Sequence, residues 1–298
     1  MMETNAGMDG AFGSALKKQI EEFQKFYCLS GVTSGTVDRI TWASLLSSKG
    51  ETSRAAKACD TSTVLNYAKA KSLYDAGYRY VGRYLSGTVG GKRSKAMTAE
   101  EIADIFKAGL RIFAIFQEGT PSLNRYTATV GKEEAQKAVM AARQLGIPEN
   151  AIIYFAIDYD VMDKDIERVK RYFEGIKRVI NRYGKYYRVG IYGARNVCTK
   201  ICESGLAESC FVSDMSTGFS GNLGYKIPKN WAFDQFHEYQ FSSLDGTFGL
   251  DKNGYSGQYS GFDTVTVDNQ MIPDVSDEYR KKKASALLNT IGIPLPSN

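Results

Sequence analysis

The chain has 298 residues, 43% of them hydrophobic and 24% charged, with a net charge of +5. That composition is ordinary for a globular protein of one large domain, or of a large and a small one. It holds no run long enough for a transmembrane helix, and no Lys/Arg stripe with interleaved aromatics, so neither a membrane span nor nucleic acid is expected.

The first twenty residues lack a basic stretch followed by an apolar one, so no signal peptide is visible. The chain as given reads as cytoplasmic, with export to the cell wall or beyond by another route left open. Residues 1–46 then differ in character from the rest. Ala15–Phe26 is expected to be helical, with an apolar stripe at Leu16, Ile20, Phe23 and Phe26 or Tyr27. A Gly-rich turn leads to a short second helix near Ile40–Leu46. The polar segment 47–56, SSKGETSRAA, reads as a linker.

From Ala58 onward strand and helix patterns alternate. Strands are expected at 57–60, 79–85, 111–117, 151–158, 187–193, 209–214, 235–241 and 263–268. Helices are expected at 63–75, 98–108, 131–145, 163–183 and 195–204. The stretches 215–234 and 242–262 are rich in small polar residues and read as long loops, and Asp274–Leu288 reads as a closing helix. Such βαβα alternation predicts an α/β fold: a (β/α)8 TIM-type barrel with irregular last units over 57–298, preceded by a small N-terminal helical module. A doubly wound open sheet is the competing architecture. No GxGxxG or GxxxxGK[ST] follows any strand, so a nucleotide has no support.

Several strands end in an acid: Asp60, Glu118, Asp158, Asp214 and Asp268. In a parallel barrel all strand C-termini open onto one face, so these carboxylates would converge on one pocket. The five cysteines, Cys28, Cys59, Cys198, Cys202 and Cys210, suggest no disulfide framework. Cys198 and Cys202 share a helix face, but the single histidine, His237, completes no ligand set, so no metal is expected. A lone histidine also argues against Ser-His-Asp or Cys-His chemistry. Clustered carboxylates without such ligands are the equipment of glycosidic bond cleavage, which needs no cofactor.

The N-terminal segment resembles the peptidoglycan-binding-domain-1 type of wall module. The matching residues are Asp9-Gly10, Phe12-Gly13, Phe23-Gln24, Gly35, Val37-Asp38, Thr41-Trp42 and Leu45. The region from Cys59 resembles the glycoside-hydrolase-like domain family, distantly related to the family 25 muramidases. CDTS at 59–62, AGYRYVGRYL at 76–85, AGLRIFAIFQEG at 108–119, IIYFAIDYD at 152–160, VGIYGA at 189–194, EYQF at 238–241 and VDNQ at 267–270 carry that resemblance. It implies a β/α barrel with acids at its strand ends and a role on cell-wall or other glycans. Where those muramidases have Asp-x-Glu, this chain has Asp158-Tyr159-Asp160.

Asp158 and Asp160, two apart on a strand end, are expected to point the same way, and like carboxylates held close split into an acid and a base. Asp160 is a general-acid candidate or a helix cap; Glu118, with its longer reach, is the rival acid or a rim ion pair. Asp60 matches the family's opening aspartate and is expected to stabilise positive charge on the sugar, to orient it, or to cap the next helix. Asp268 matches the late aspartate of the relatives. Arg83 is expected to hold a substrate carboxylate or to form a structural ion pair. Tyr159, Tyr192 and Tyr239 are candidates for stacking on sugars, and Gln240 for hydrogen bonding them. The expected function is hydrolysis of a peptidoglycan-type glycosidic bond by paired carboxylates. The alternatives are a non-catalytic glycan-binding relative and, less favoured, a metal-dependent barrel phosphodiesterase holding its ion on Asp60, Asp158 and Asp268.

Overall fold

The computed structural model describes residues 10–266. Asp268 and the helix expected over Asp274–Leu288 lie outside the described residues. Two N-terminal helices, α1 (Ser14–Phe26) and α2 (Arg39–Leu46), come first. Ten strands follow: β1 (Ala58–Asp60), β2 (Tyr80–Tyr84), β3 (Thr88–Val89), β4 (Arg93–Ser94), β5 (Arg111–Phe116), β6 (Ile152–Ala156), β7 (Arg188–Gly193), β8 (Ser209–Val212), β9 (Trp231–Ser243) and β10 (Gly246–Tyr255). Between them run α3 (Tyr67–Asp75), α4 (Ala99–Lys107), α5 (Ala128–Gln144), α6 (Ile166–Arg182) and α7 (Arg195–Glu203).

Eight strands close a barrel in the order β1-β2-β5-β6-β7-β8-β9-β10. Neighbours from β1 through β9 are parallel. β10 runs antiparallel to both β9 and β1. The last strand therefore departs from expectation. Of the strand expected at 263–268, the described residues 263–266 are not in a strand, and the barrel closes with Gly246–Tyr255, inside the stretch read as loop. Its sequence, GTFGLDKNGY, is rich in Gly, Asp and Asn, which strands disfavour. Cross-strand pairing along its whole length overrides that preference. Phe262 adds a single bridge to Ile112.

Strand alternation sorts the side chains into two layers. Ala58, Phe113, Ile115, Ile152, Tyr154, Phe211 and Phe233, with Tyr84, Tyr192 and Tyr255, fill the barrel. Cys59, Val81, Ala114, Phe116, Ile153, Phe155, Ile191 and Val212 face the surrounding helices. The helices start where side-chain oxygens cap them: Asn66 on Lys69 N, Thr98 on Glu101 N and Thr127 on Val130 N.

The N-terminal helices are joined through Gln24. Its amide donates to Thr33 O, Thr36 O and Thr41 Oγ1, and accepts from Gly35 N. Asp38 caps α2 by accepting from Thr41 N. These bonds give the Phe23-Gln24, Gly35, Val37-Asp38 and Thr41-Trp42 spacing its physical meaning. The segment 47–56, read as a linker, holds the buried Arg54, which pairs with Asp234 at 3.3 Å and covers the Phe236 ring. Ser48 Oγ donates to Asp214 O at 2.7 Å.

Gly82 shows how tightly the barrel is filled below Asp60. A Cβ there would lie 2.5 Å from Phe113 Cζ and 2.8 Å from Asp60 Cβ. Gly82→Ala is expected to lower stability by about 1–3 kcal/mol through this overpacking. Urea unfolding of the variant beside the wild type is the check.

Candidate active site

Phase along each strand decides which acids reach the mouth of the barrel. Ala58 faces inward, so Asp60, two residues on, does too. The same phase carries Ile152, Tyr154 and Ala156 on to Asp158 just past β6, and Phe113 and Ile115 on to Gln117. On β10 it is Asp251, Asn253 and Tyr255 that face in.

Asp60 and Asp251 stand directly opposite each other across the antiparallel β1–β10 pair. Like charges in this position repel. Asp60 is 1% exposed, and its Oδ1 accepts from Gln235 Nε2 at 2.9 Å and Asn253 Nδ2 at 3.0 Å. Gln235 Nε2 also donates to Asp251 Oδ2 at 3.1 Å, while Gln235 Oε1 accepts from Tyr192 Oη at 2.7 Å. Burial pushes the Asp60 carboxyl up to about 6, against the pull of the Asn253 and Gln235 amides. Burial and the Asp60 charge push Asp251 up to about 9. At neutral pH the pair thus keeps one proton, centred on Asp251, and one negative charge, centred on Asp60.

A second group lies beside this pair. Asp158 Oδ2 accepts from Gln117 Nε2 at 3.1 Å, and Gln117 Oε1 accepts from Lys95 Nζ at 2.7 Å. Lys95 Nζ sits 4.0 Å from the centre of the Tyr84 ring. Burial raises the Asp158 carboxyl above its usual range, opposed by the Gln117 hydrogen bond and the Lys95 charge. Burial also lowers the Lys95 ammonium to about 8.

The other expected site residues are placed differently. Asp160 accepts from Ser220 Oγ at 2.7 Å, while Asp158 accepts from Gln117. Glu118 has the outward phase and pairs with Lys137 of α5 at 2.9 Å, on the edge of a recess it shares with Asp158 and Gln117. Asp214 turns outward into a two-pronged pair with Arg195, both contacts at 2.6 Å. Arg83 also has the outward phase, between Gly82 and Tyr84. It is fully buried, bonded to Glu101 at 2.6 and 3.2 Å and to Thr61 O, so its ion-pair partner is Glu101 and not Asp60. Tyr159 packs against the barrel–helix layer. Tyr192 belongs to the mouth. Tyr239 and Gln240 lie on the β9–β10 arm, where Tyr239 Oη meets Tyr78 Oη at 2.8 Å and Gln240 is exposed opposite Gly249. Asp268 lies outside the described residues.

Sequence reasoning missed Asp251, Asn253, Gln235, Gln117 and Lys95. The signal for Gln117 was its phase, two residues beyond the inward Ile115. For Asp251 and Asn253 the signal was present only to a reader who already knew that 246–255 is a strand.

The recess at the strand ends is small, about 10 Å³, and is bordered by Gln117, Glu118, Arg125, Tyr126 and Asp158. A much larger groove, about 900 Å³, runs between the N-terminal helices and the barrel, past Tyr27, Arg54, Tyr78, Tyr239 and Lys252. Of the inward carboxylates, Asp158 borders the smaller recess, and burial raises its carboxyl above the usual range.

The Asp60–Asp251 pair carries a definite pH signature. A carboxyl whose folded pKa is raised contributes stability that is full below its unfolded value of 3.8 and is lost as pH rises through the folded value, here about 9 for Asp251. Asp251→Asn removes that liability while keeping the shape of the side chain. Its unfolding free energy, relative to wild type, is expected to improve steadily from pH 4.5 to pH 8, as read by urea denaturation at both pH values.

Comparison with known proteins places this geometry in context. The family model described as the Rv2525c-like, glycoside hydrolase-like domain matches residues 71–283. The peptidoglycan binding domain model PG_binding_1 matches residues 4–45. YbfG of Bacillus subtilis (strain 168) is 41% identical over 292 residues, covering 95% of this chain and 39% of YbfG. FadG of the same organism is 40% identical over 265 residues, covering 88% of this chain and 46% of FadG. The chain thus spans less than half the length of these curated relatives. Among solved structures, the Tat-secreted protein Rv2525c of Mycobacterium tuberculosis, in complex with L-tartrate, superimposes with a TM-score of 0.57 at 21% identity. The match covers 69% of this chain and 98% of that one, and it supports the barrel fold.

Proposed function

The chain belongs to the Rv2525c-like, glycoside hydrolase-like family, and on that premise we propose that it cleaves a glycosidic bond in a cell-wall glycan of the peptidoglycan type. The observation that carries this reading is the division of labour among inward carboxylates. Asp158 is biased toward its protonated form by burial, as a proton donor to a leaving oxygen must be. Asp60 holds negative charge beside a protonated Asp251, suited to stabilising positive charge on the sugar or to activating water. Gln235, Asn253 and Tyr192 hold the ionised partner in place. Glu118 and Asp160 are engaged with Lys137 and Ser220 and take supporting places at the rim.

In this reading residues 1–46 are the wall-contacting module, 47–56 the connection and 57–298 the hydrolase-like part. Two amide N–H groups aimed at Asp60 Oδ1 favour this reading over a metal-dependent phosphodiesterase, because they occupy an oxygen that an ion would use. Among the described residues no helix is long and apolar enough to cross a membrane. A wall substrate lies outside the cell, so export of this chain is part of the proposal; Rv2525c is itself described as Tat-secreted.

One observation favours a second reading. Asp60 is nearly inaccessible, and the strand-end recess is small beside the groove next to the N-terminal helices. A protein that only binds wall glycan, through that groove, would have this profile.

Incubation with purified peptidoglycan followed by mass analysis of released fragments separates the two. Cleavage predicts glycan fragments with new reducing ends. Asp158→Asn and Asp60→Asn should each slow their release by about 10²-fold or more, the usual share of proton transfer, while both variants stay folded. Co-sedimentation with the wall polymer without any fragment release would establish the binding reading instead.

A further inference from the structure

We propose that Lys95 is the anion-recognising residue of the barrel mouth, and that the glycan taken there carries a carboxylate close to the scissile bond. This inference rests on the glycan reading of the same mouth.

Lys95 is 7% exposed. Lysine is rarely buried so deeply without an ionic partner. Among the described residues its ammonium lies within ion-pairing distance of no carboxylate. Asp158 and Glu118 contribute the leading attractive charges, but Asp158 reaches it only through Gln117, and Glu118 is paired with Lys137. Of three N–H donors, one is used on Gln117 Oε1. The ring of Tyr84 lies under the charge and provides no hydrogen-bond acceptor at its face.

The seat is built, and by several elements. Lys95 N donates to Gly87 O at 3.1 Å, and Lys95 O accepts from Arg83 Nη2 at 3.2 Å. Gly87 takes a positive φ of 94°, and a Cβ there would lie 2.8 Å from Lys95 Cε and 2.7 Å from Gln117 O. The loop comes this close to the lysine stem only because position 87 has no side chain. Arg83, expected either to hold a substrate acid or to form a structural ion pair, does the second and also anchors the backbone of Lys95.

The chemistry selects the ligand. A buried ammonium with free donors is stabilised by an incoming anion that replaces the missing counter-charge. Asp158 and Asp60 lie nearby and repel a dianion such as a phosphate monoester more strongly than a single negative charge. A monovalent carboxylate on a sugar, such as the free lactyl acid of a muramyl residue that carries no stem peptide, meets both conditions. Bound there, it would also bring the adjoining glycosidic oxygen toward Asp158.

The test follows the lysine directly. The full chain is labelled with ¹³Cε-lysine, the Lys95 signal is assigned from Lys95→Arg, and the protein is titrated with N-acetylmuramic acid, its carboxamide, and D-lactate. The expected result is that the two acids move the Lys95 signal and that the sugar acid binds at least about tenfold tighter than its amide, the usual worth of a charge-assisted hydrogen bond. Lys95→Met should erase that preference and Lys95→Arg should retain much of it. Equal binding of acid and amide, or a preference that survives Lys95→Met, overturns the inference while leaving the glycan reading intact. Movement by D-lactate with no response to either sugar supports the carboxylate seat and removes the glycan. Should Lys95→Met not fold, the titration of the unsubstituted chain still decides, since a Lys95 signal unmoved by both acids overturns the inference.

Discussion

The reversed last strand is the constraint on which the site depends. Because β10 runs antiparallel to β1, it sets Asp251 against Asp60, and Asn253 and Gln235 come with it. A parallel eighth strand would have brought a different residue to that position. Two facing carboxylates in a buried mouth cannot both ionise near neutrality, so one proton stays. The amides of Gln235 and Asn253 favour Asp60 as the charged member, and Tyr192 fixes the Gln235 amide by donating to its oxygen. The barrel thereby holds an acid and a base of the same residue type a hydrogen bond apart.

Buried charges elsewhere serve the architecture. Arg83 and Glu101 are both wholly inaccessible and tie β2 to α4. Arg195 grips Asp214, and through Ser48 O and Tyr27 Oη it reaches back to the N-terminal region. Arg54 meets Asp234, whose carboxyl is held well above its usual range by burial and by the neighbouring Asp214 charge. Each of these pairs is costly to break, because the remaining member would be left buried and alone. They also explain how a polar segment such as 47–56 packs against the barrel: its buried cation, Arg54, is paired with Asp234 on β9.

The mouth and the outer layer are coupled through Arg83. Its guanidinium faces α4, yet its bond to Lys95 O helps fix a lysine that stands over Tyr84 in the mouth. From Lys95 a hydrogen-bonded path through Gln117 ends on Asp158. The Asp158 carboxyl is raised by burial, opposed by Gln117 at the end of β5 and Lys95 on the turn after β4, so its own strand carries little information about it.

The sequence by itself determined the alternation of strands and helices, the N-terminal helices, and the residues of the first six barrel strands to within a few positions. Apolar periodicity is local, and local preference agreed with the final packing there. It also determined Asp60 and Asp158 as mouth residues, since an acid two places beyond an inward apolar residue keeps its phase. The same phase rule turns Arg83 and Asp214 away from the mouth and leaves Glu118 at the edge of the recess that Asp158 borders. What only the tertiary structure decided was the partner of each polar group. The strand Gly246–Tyr255 is rich in Gly, Asp and Asn, which strands disfavour, and is held by pairing with β9 and β1, so Asp251 and Asn253 were invisible as site residues until the barrel closed. Lys95, on a short excursion with no periodicity of its own, becomes a mouth residue only because Gly87 and Arg83 hold it over Tyr84. Pairings across nearly two hundred residues of sequence, such as Asn253 with Asp60, come from closure of the ring and leave no mark on the local pattern.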